Sequence, residues 1–176
     1  MSKLAFIFPG QGAQKAGMGK DFYENSEAAR SFFDQAQKIL DFDLKEMCFG
    51  EHEELNLTEY TQPCMVSVCL AIVQELKKRG INPDITAGLS LGEYAAVAAA
   101  DGMNELDAIK LVRRRGILMQ STVPAGEGAM AAVLGLDAKK IEEILESFEN
   151  VWIANYNCPG QIVITGLTNE VQQASL

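Results

Sequence analysis

A serine between two glycines is the residue in this chain best suited to chemistry. Ser90 lies in the sequence GLSLG at residues 88–92, directly after a short apolar run and before an alanine-rich segment. A G-x-S-x-G sequence between a strand and a helix is typical of a nucleophile elbow, in which glycines allow a tight turn that exposes the serine Oγ. The backbone N–H of Leu91 would then lie at a helix N-terminus, where an oxyanion is stabilised. We therefore predict that Ser90 is a nucleophile, the alternative being a purely structural turn.

A second glycine-rich turn, PGQG at residues 9–12, follows the first apolar run of the chain. Loops that follow parallel strands lie at one edge of the sheet, so this turn is expected to face the same crevice as Ser90. Nucleotide-binding patterns do not fit, because a dinucleotide fingerprint that starts at Gly10 would need glycine where Lys15 stands. The two turns together predict one site at the sheet edge.

Apolar periodicity and helix-capping residues predict the elements that position these turns. Strand and helix patterns alternate, which is typical of an α/β protein. The pattern changes near residue 126 from mainly helical to strand-rich, and we predict two domains, residues 1–125 and 126–176. Thr168 is predicted to be the N-cap of a last helix. The predicted strands are 3–8, 85–87, 129–136, 151–155 and 161–165, and the predicted helices are 26–40, 63–79, 94–100, 105–120 and 138–148.

Composition restricts the class of protein. The chain is 48% apolar and 22% charged, as in folded soluble proteins. The N-terminal apolar run, residues 4–8, is too short for a secretory signal or a membrane span, so a cytoplasmic location and no membrane association are expected. Four cysteines and one histidine form no zinc pattern, so we predict reduced core cysteines and no metal site.

The net charge of −9 argues against a nucleic-acid partner. An acidic protein partner would need a local basic patch, and two clusters are candidates, residues 77–79 and residues 110–115. Each cluster is equally well interpreted as the solvated last turn of a helix.

Six motifs in order give the chain a family resemblance that covers its whole length. It resembles the malonyl-CoA:acyl carrier protein transacylases, acyltransferases of fatty acid biosynthesis and lipid metabolism. The motifs are FPGQGAQ (8–14), TQP (61–63), GLSLGEY (88–94), RG (115–116), GAMAA (128–132) and NYNCPGQ (155–161).

The resemblance implies a fold and a reaction. The fold would be an α/β-hydrolase-like large domain, present in part as residues 1–125, with a ferredoxin-like small domain that begins near residue 126 and is incomplete at the C-terminus. The reaction would transfer a malonyl group from malonyl-CoA to acyl carrier protein through a malonyl-Ser90 intermediate, without a cofactor.

The resemblance also assigns roles to individual residues. The backbone N–H groups of Gln11 and Leu91 would hold the oxyanion, and Arg115 would bind the malonate carboxylate, for which a guanidinium fork is well matched. Four further residues would line the pocket, although each is equally well interpreted as a packing residue; they are Gln62, Met119, Asn155 and Asn157.

Two departures from the family pattern concern histidine. Leu89 stands where the family has histidine before the nucleophile, and no histidine follows His52, whereas the family's general base lies downstream of the serine. We predict that His52, in an acidic stretch, is a surface residue. The chain alone is therefore expected to be inactive and to self-associate through an unfinished sheet edge. The alternatives are a non-catalytic remnant that binds acyl groups or a partner, and a serine thioesterase or hydrolase.

Overall fold

The computed structural model describes residues 3–123 and 126–176, and the chain divides into two compact units between Gln120 and Ser121. The division falls within a helix, whereas the sequence predicts a boundary after residue 125. Strands and helices of the first unit alternate, and the second unit contains an antiparallel sheet. The chain is therefore an α/β protein.

The first unit contains a parallel pair of short strands, β1 (Ala5–Phe8) and β2 (Ile85–Gly88). In their register Ala5 lies opposite Ile85 and Phe8 lies opposite Gly88. The turns that follow the two strands therefore leave the same edge of the sheet, as the sequence predicts.

Helices make up most of the first unit, and its core is centred on the long helix α4. Residues Pro63–Val66 of this helix are buried in succession. Two short helices, α1 and α3, are missing from the sequence prediction, since neither is long enough to show an amphipathic period. The helices are α1 (Lys20–Asn25), α2 (Glu27–Gln37), α3 (Leu44–Phe49), α4 (Thr58–Lys78), α5 (Gly92–Ala99) and α6 (Glu105–Thr122), with a 3₁₀ turn at Glu53–Asn56.

The start of α4 differs from the sequence prediction. Pro63 was expected in the first turn, where a missing N–H costs nothing. The helix instead begins at Thr58, so Pro63 lies inside it. Its missing N–H leaves the carbonyl of Glu59, four residues earlier, without a helical donor.

The second unit is a three-stranded antiparallel sheet in the order β3-β5-β4. Its helices contribute Ile141 and Val171 to a small core with Ile162 and Ile164 of the central strand. Thr168 is the first residue of the last helix rather than its N-cap, and its Oγ1 donates to the carbonyl of Gly126 at 2.8 Å. The elements are β3 (Gly128–Leu134), α7 (Ala138–Leu145), β4 (Val151–Cys158), β5 (Gln161–Leu167) and α8 (Thr168–Ala174).

The cysteines differ in their environments. Cys48 and Cys64 are buried, and Cys69 is half-buried. Cys158 is exposed on β4, so the prediction that all four are core residues is wrong for this one, because its side chain projects from the sheet near a hairpin turn. Across residues 3–123 and 126–176 no group of three or more metal-binding side chains comes together, and none of the helices there is both long and apolar enough to cross a bilayer.

Candidate active site

Ser90 lies at the tip of a strained turn between β2 and α5. Its φ is +49°, in the left-handed region that non-glycine residues avoid. A Cβ on Gly88 would lie 2.1 Å from the backbone carbon of Gly92, and a Cβ on Gly92 would lie 2.3 Å from the carbonyl oxygen of Phe8. Strand and helix thus approach so closely that only glycine fits on either side of Ser90. This is the geometry of a nucleophile elbow, and the serine is exposed.

The 9–12 turn packs directly against the elbow. The backbone N–H of Leu89 donates to the carbonyl of Phe8 at 3.1 Å. A Cβ on Gly10 would lie 2.9 Å from the carbonyl oxygen of Leu89. The two turns are therefore in contact at one end of the β1–β2 pair.

Two backbone donors in these turns remain unused. The N–H groups of Gln11 and Leu91 donate no hydrogen bond to any residue that the structure describes. Leu91 precedes the first residue of α5, where the partial positive charge of the helix end is located. Unused N–H groups on both turns beside a serine are the donors that an oxyanion requires.

Side-chain amides hold the 9–12 turn in place. Gln11 Nε2 donates to Thr58 Oγ1 at 3.0 Å, and Gln62 Nε2 donates to Gln11 Oε1 at 3.3 Å. Gln14 fastens the far side of the turn, since its Oε1 accepts from the N–H of Gly12 at 2.8 Å and its Nε2 donates to Asn56 Oδ1. The turn is therefore clamped to the start of α4.

Gln62 and Met119, both predicted to line the pocket, contact each other. Gln62 is fully buried, and its Nε2 lies 3.3 Å from the sulfur of Met119. Met119 is 46% exposed and lies four residues after Arg115 on α6, so these two residues share one face of that helix.

Neighbouring arginines on α6 have opposite environments. The side chain of Arg113 is 13% exposed and pairs with Asp41 and Glu59, so this arginine is occupied by contacts within the molecule. Arg114 is exposed. The guanidinium of Arg115 lies 5.6 Å from the centre of the Tyr94 ring, and no carboxylate of the described residues pairs with it. Arg115 is therefore available to bind a carboxylate ligand.

The two basic clusters considered as docking patches are largely neutralised within the molecule. Every cation of the first cluster and two cations of the second have acidic partners. The pairs are Lys77–Asp101, Lys78–Glu27, Arg79–Glu75, Lys110–Asp107 and Arg113–Asp41. For the first cluster, at the end of α4, these contacts favour the interpretation of a solvated helix end. The second cluster lies in the middle of α6 rather than at its end, and Arg114 and Arg115 have no acidic partner among the described residues.

His52 is engaged away from the elbow. Its Nε2 lies 3.1 Å from a carboxylate oxygen of Glu46, and its side chain is 31% exposed. Leu89, next to Ser90 in the sequence, is 57% exposed, and its side chain has no hydrogen-bonding group. His52 is the one histidine of the chain, and because it pairs with Glu46, no imidazole is a hydrogen-bonding partner of Ser90.

The remaining predicted site residues lie in the second unit. Asn155 and Asn157 are exposed on β4, and Asn155 lies opposite Val163 of the central strand. Asn157 Nδ2 donates to Gln161 Oε1 at 3.2 Å across the hairpin. Their amides are thus displayed on the surface of that sheet.

Three residues that support the site are not among the site residues that the sequence predicts. Thr58 and Gln120 are joined by a hydrogen bond from the Thr58 N–H to Gln120 Oε1 at 3.1 Å, which links the start of α4 to the end of α6. Arg113 is the third, because it ties α6 to Glu59 of α4. In the sequence, the motif TQP at residues 61–63 is the one signal that the first part of α4 contributes to the site.

An exposed serine on a strained turn between a parallel strand and a helix, beside two N–H groups that donate to none of the described residues, is the arrangement typical of serine acyl-transfer and hydrolysis sites on α/β scaffolds. A family profile described as the acyl transferase domain matches residues 5–175. The chain belongs to this family.

Similar proteins carry more specific names. The chain is 48% identical over 180 residues to a malonyl CoA-acyl carrier protein transacylase of Bacillus subtilis, covering 99% of this chain and 57% of that protein. A transacylase structure of the same name from Clostridium perfringens superposes with a TM-score of 0.88 at 44% identity, over 98% of this chain and 56% of the other. A structure of a type II PKS acyl-carrier protein in complex with its malonyl-transacylase gives 0.89 at 38% identity, over 98% and 58%. The chain thus spans little more than half the length of these relatives.

Proposed function

We propose that this protein transfers a malonyl group from malonyl-CoA to acyl carrier protein through a malonyl-Ser90 intermediate. The observation that carries the proposal is the position of Ser90, at a positive φ on a glycine-flanked turn beside two N–H groups that donate to no residue the structure describes. Arg115 adds selectivity, since malonyl differs from acetyl by one carboxylate and this guanidinium has no acidic partner in the described residues. The names of the relatives support the same reaction.

The residues divide the reaction as follows. Ser90 Oγ attacks the thioester carbonyl, and its proton passes to water or to an added base, because the one histidine of the chain is paired with Glu46. The N–H groups of Gln11 and Leu91 stabilise the oxyanion. Collapse of the tetrahedral intermediate breaks the C–S bond, and CoA leaves as a thiol. The thiol of acyl carrier protein then attacks the malonyl ester, which regenerates the Ser90 hydroxyl. No step requires a cofactor.

The finer fold assignment belongs to the same proposal. In residues 126–176 the β-α-β-β-α order and the sheet order β3-β5-β4 support a ferredoxin-like small domain. Both β3 and β4 are outer strands, and exposed strand edges pair with other chains, so we propose self-association of the 176-residue chain through this sheet. A cytoplasmic role in fatty acid biosynthesis would follow from the proposed substrates.

Intact-mass analysis after mixing with malonyl-CoA tests the reaction. A stable malonyl adduct that Ser90→Ala abolishes supports the transferase, whereas rapid release of free malonate supports a serine hydrolase. No adduct at all supports a non-catalytic acyl- or partner-binding remnant, which the position of His52 favours.

The exposed Cys158 needs its own control, because a surface thiol exchanges directly with thioesters. The measurement is therefore made in a Cys158→Ser background, with Ser90→Ala compared in the same background. An adduct that survives both substitutions would show that Ser90 is not the nucleophile.

A further inference from the structure

Gln62 is a buried polar residue whose contacts lie on two sides of the candidate site. It is 0% exposed and lies in the part of α4 where residues Pro63–Val66 are buried as well. Its Nε2 donates to Gln11 Oε1 and to the Met119 sulfur, both at 3.3 Å, while its Oε1 accepts no hydrogen bond from the described residues. A buried amide oxygen without a hydrogen-bond donor lowers the stability of the fold. A role in the site, exerted through the two contacts of Nε2, would account for an amide at this position.

The first contact acts on the turn that carries the Gln11 N–H. Thr58 and Gln62 are four residues apart on α4 and therefore share one face of the helix. The Gln11 side chain bridges this face, donating to Thr58 at 3.0 Å and accepting from Gln62. Both ends of the Gln11 side-chain amide are thus held by α4, which restrains the turn that carries the backbone N–H of the same residue.

The second contact acts on α6. Met119 shares a helix face with Arg115, one turn away, so Gln62 touches the face that carries a guanidinium without an acidic partner among the described residues. Gln120 strengthens the connection, since it accepts from the Thr58 N–H at 3.1 Å. One buried side chain therefore connects the oxyanion turn with the helix of the carboxylate-binding arginine.

We infer that Gln62 is a positioning residue. It contacts no substrate, but it keeps the Gln11 N–H at a fixed position relative to Ser90 and to the face of α6 that carries Arg115. The inference rests on the proposed function for the role of the Gln11 N–H in acyl transfer. A small displacement of an oxyanion donor is costly for the rate, because the donor must meet the charge where it develops.

A double-mutant cycle on Gln62 and Gln11 tests this positioning role in the 176-residue chain. Gln62→Met keeps the length of the side chain and removes the amide, and Gln11→Ala removes the bridging amide but keeps the backbone N–H. Each is expected to lower the rate constant of Ser90 acylation by malonyl-CoA about tenfold to a hundredfold. The malonyl-CoA concentration at half-maximal rate should stay unchanged. The double variant should be no slower than the slower single variant, because both substitutions break one path.

Ser67→Ala is the matched control, since Ser67 is a fully buried residue of α4 whose Oγ also lacks a partner in the described residues. It should leave the acylation rate unchanged. If the rate reductions of Gln62→Met and Gln11→Ala multiply in the double variant, the two residues act independently and the positioning role of Gln62 is wrong.

A second readout does not depend on activity. The backbone ¹H–¹⁵N signals of Gln11 and Gly12 should shift in Gln62→Met and stay in place in Ser67→Ala. Unmoved Gln11 and Gly12 signals in Gln62→Met would overturn the inference. Absence of any wild-type acyl adduct would contradict the proposed function alone, while the amide signals would still decide whether Gln62 positions the turn.

Discussion

The guanidinium of Arg113 donates a hydrogen bond of 2.8 Å to the backbone carbonyl of Glu59, and this bond repairs a break in α4. Pro63 has no N–H to offer that carbonyl, so an arginine from α6 takes the place of the helical donor. The same guanidinium pairs with both carboxylate oxygens of Asp41 at 2.9 Å and stacks near the rings of Phe42 and Tyr60. Arg113 thereby joins α6, which carries Arg115, to α4, which carries Gln62.

Arg113→Ala should destabilise the first unit by about 2 to 4 kcal/mol, because it removes cation–π and ion-pair contacts and leaves the Glu59 carbonyl unpaired. Urea unfolding of the two variants Arg113→Ala and Arg114→Ala measures the difference. The exposed Arg114 is the matched control and should change stability by less than about 0.5 kcal/mol. Equal losses in the two variants would show that Arg113 has no special structural role.

Arg115→Ala should weaken the preference for malonyl-CoA over acetyl-CoA by about tenfold to a hundredfold, because a charge-assisted hydrogen bond to the malonate carboxylate is lost. Competition between the two thioesters for Ser90, followed by intact mass, gives the ratio directly. Arg114→Ala serves as the control of equal charge. A ratio that Arg115→Ala leaves unchanged would mean that another group binds the carboxylate.

Free imidazole should accelerate acylation of Ser90 in the 176-residue chain. A serine hydroxyl is a weak nucleophile without an adjacent base, and the one histidine of the chain is paired with Glu46. Without imidazole the rate should lie on the order of ten-thousandfold below that of a serine enzyme with its base. The acylation rate is measured against imidazole concentration, with Ser90→Ala as the blank. Turnover of about 1 to 1000 per second without imidazole would contradict this account.

Acid should destabilise the fold in the range where carboxylates with a lowered pKa, among them Asp41 and Glu170, become protonated. A hydrogen bond from Arg113 lowers the pKa of Asp41, and a hydrogen bond from Asn150 lowers the pKa of Glu170. Such groups bind fewer protons in the folded state, so their contribution is complete above the ordinary pKa of about 4 and is lost as the pH falls through the lowered value. Melting temperatures between about pH 6 and pH 2 should show a smaller acid-induced fall in Asp41→Asn than in the wild type. An identical pH dependence would contradict the contribution of Asp41.

The sequence alone predicted the glycine-flanked turn that carries Ser90. Local patterns carry that information, because a G-x-S-x-G sequence between strand and helix needs glycine at the close approach wherever it occurs, and the structure places Ser90 accordingly. The α/β class and most helices also followed from periodicity. Short elements such as α1 and α3 did not, since six residues are too few to show a period.

The family resemblance singles out Arg115, but only the tertiary structure shows that Arg113 is paired within the molecule while Arg115 has no acidic partner among the described residues. Arg113, Arg114 and Arg115 are alike in sequence, and their roles depend on partners distant in the chain, such as Asp41, which lies 72 residues from Arg113. The same holds for Gln62, whose contact with Gln11 spans 51 residues. Hydrogen bonds and ion pairs act over a few ångströms in space, and no local pattern records which distant side chains folding brings within that range.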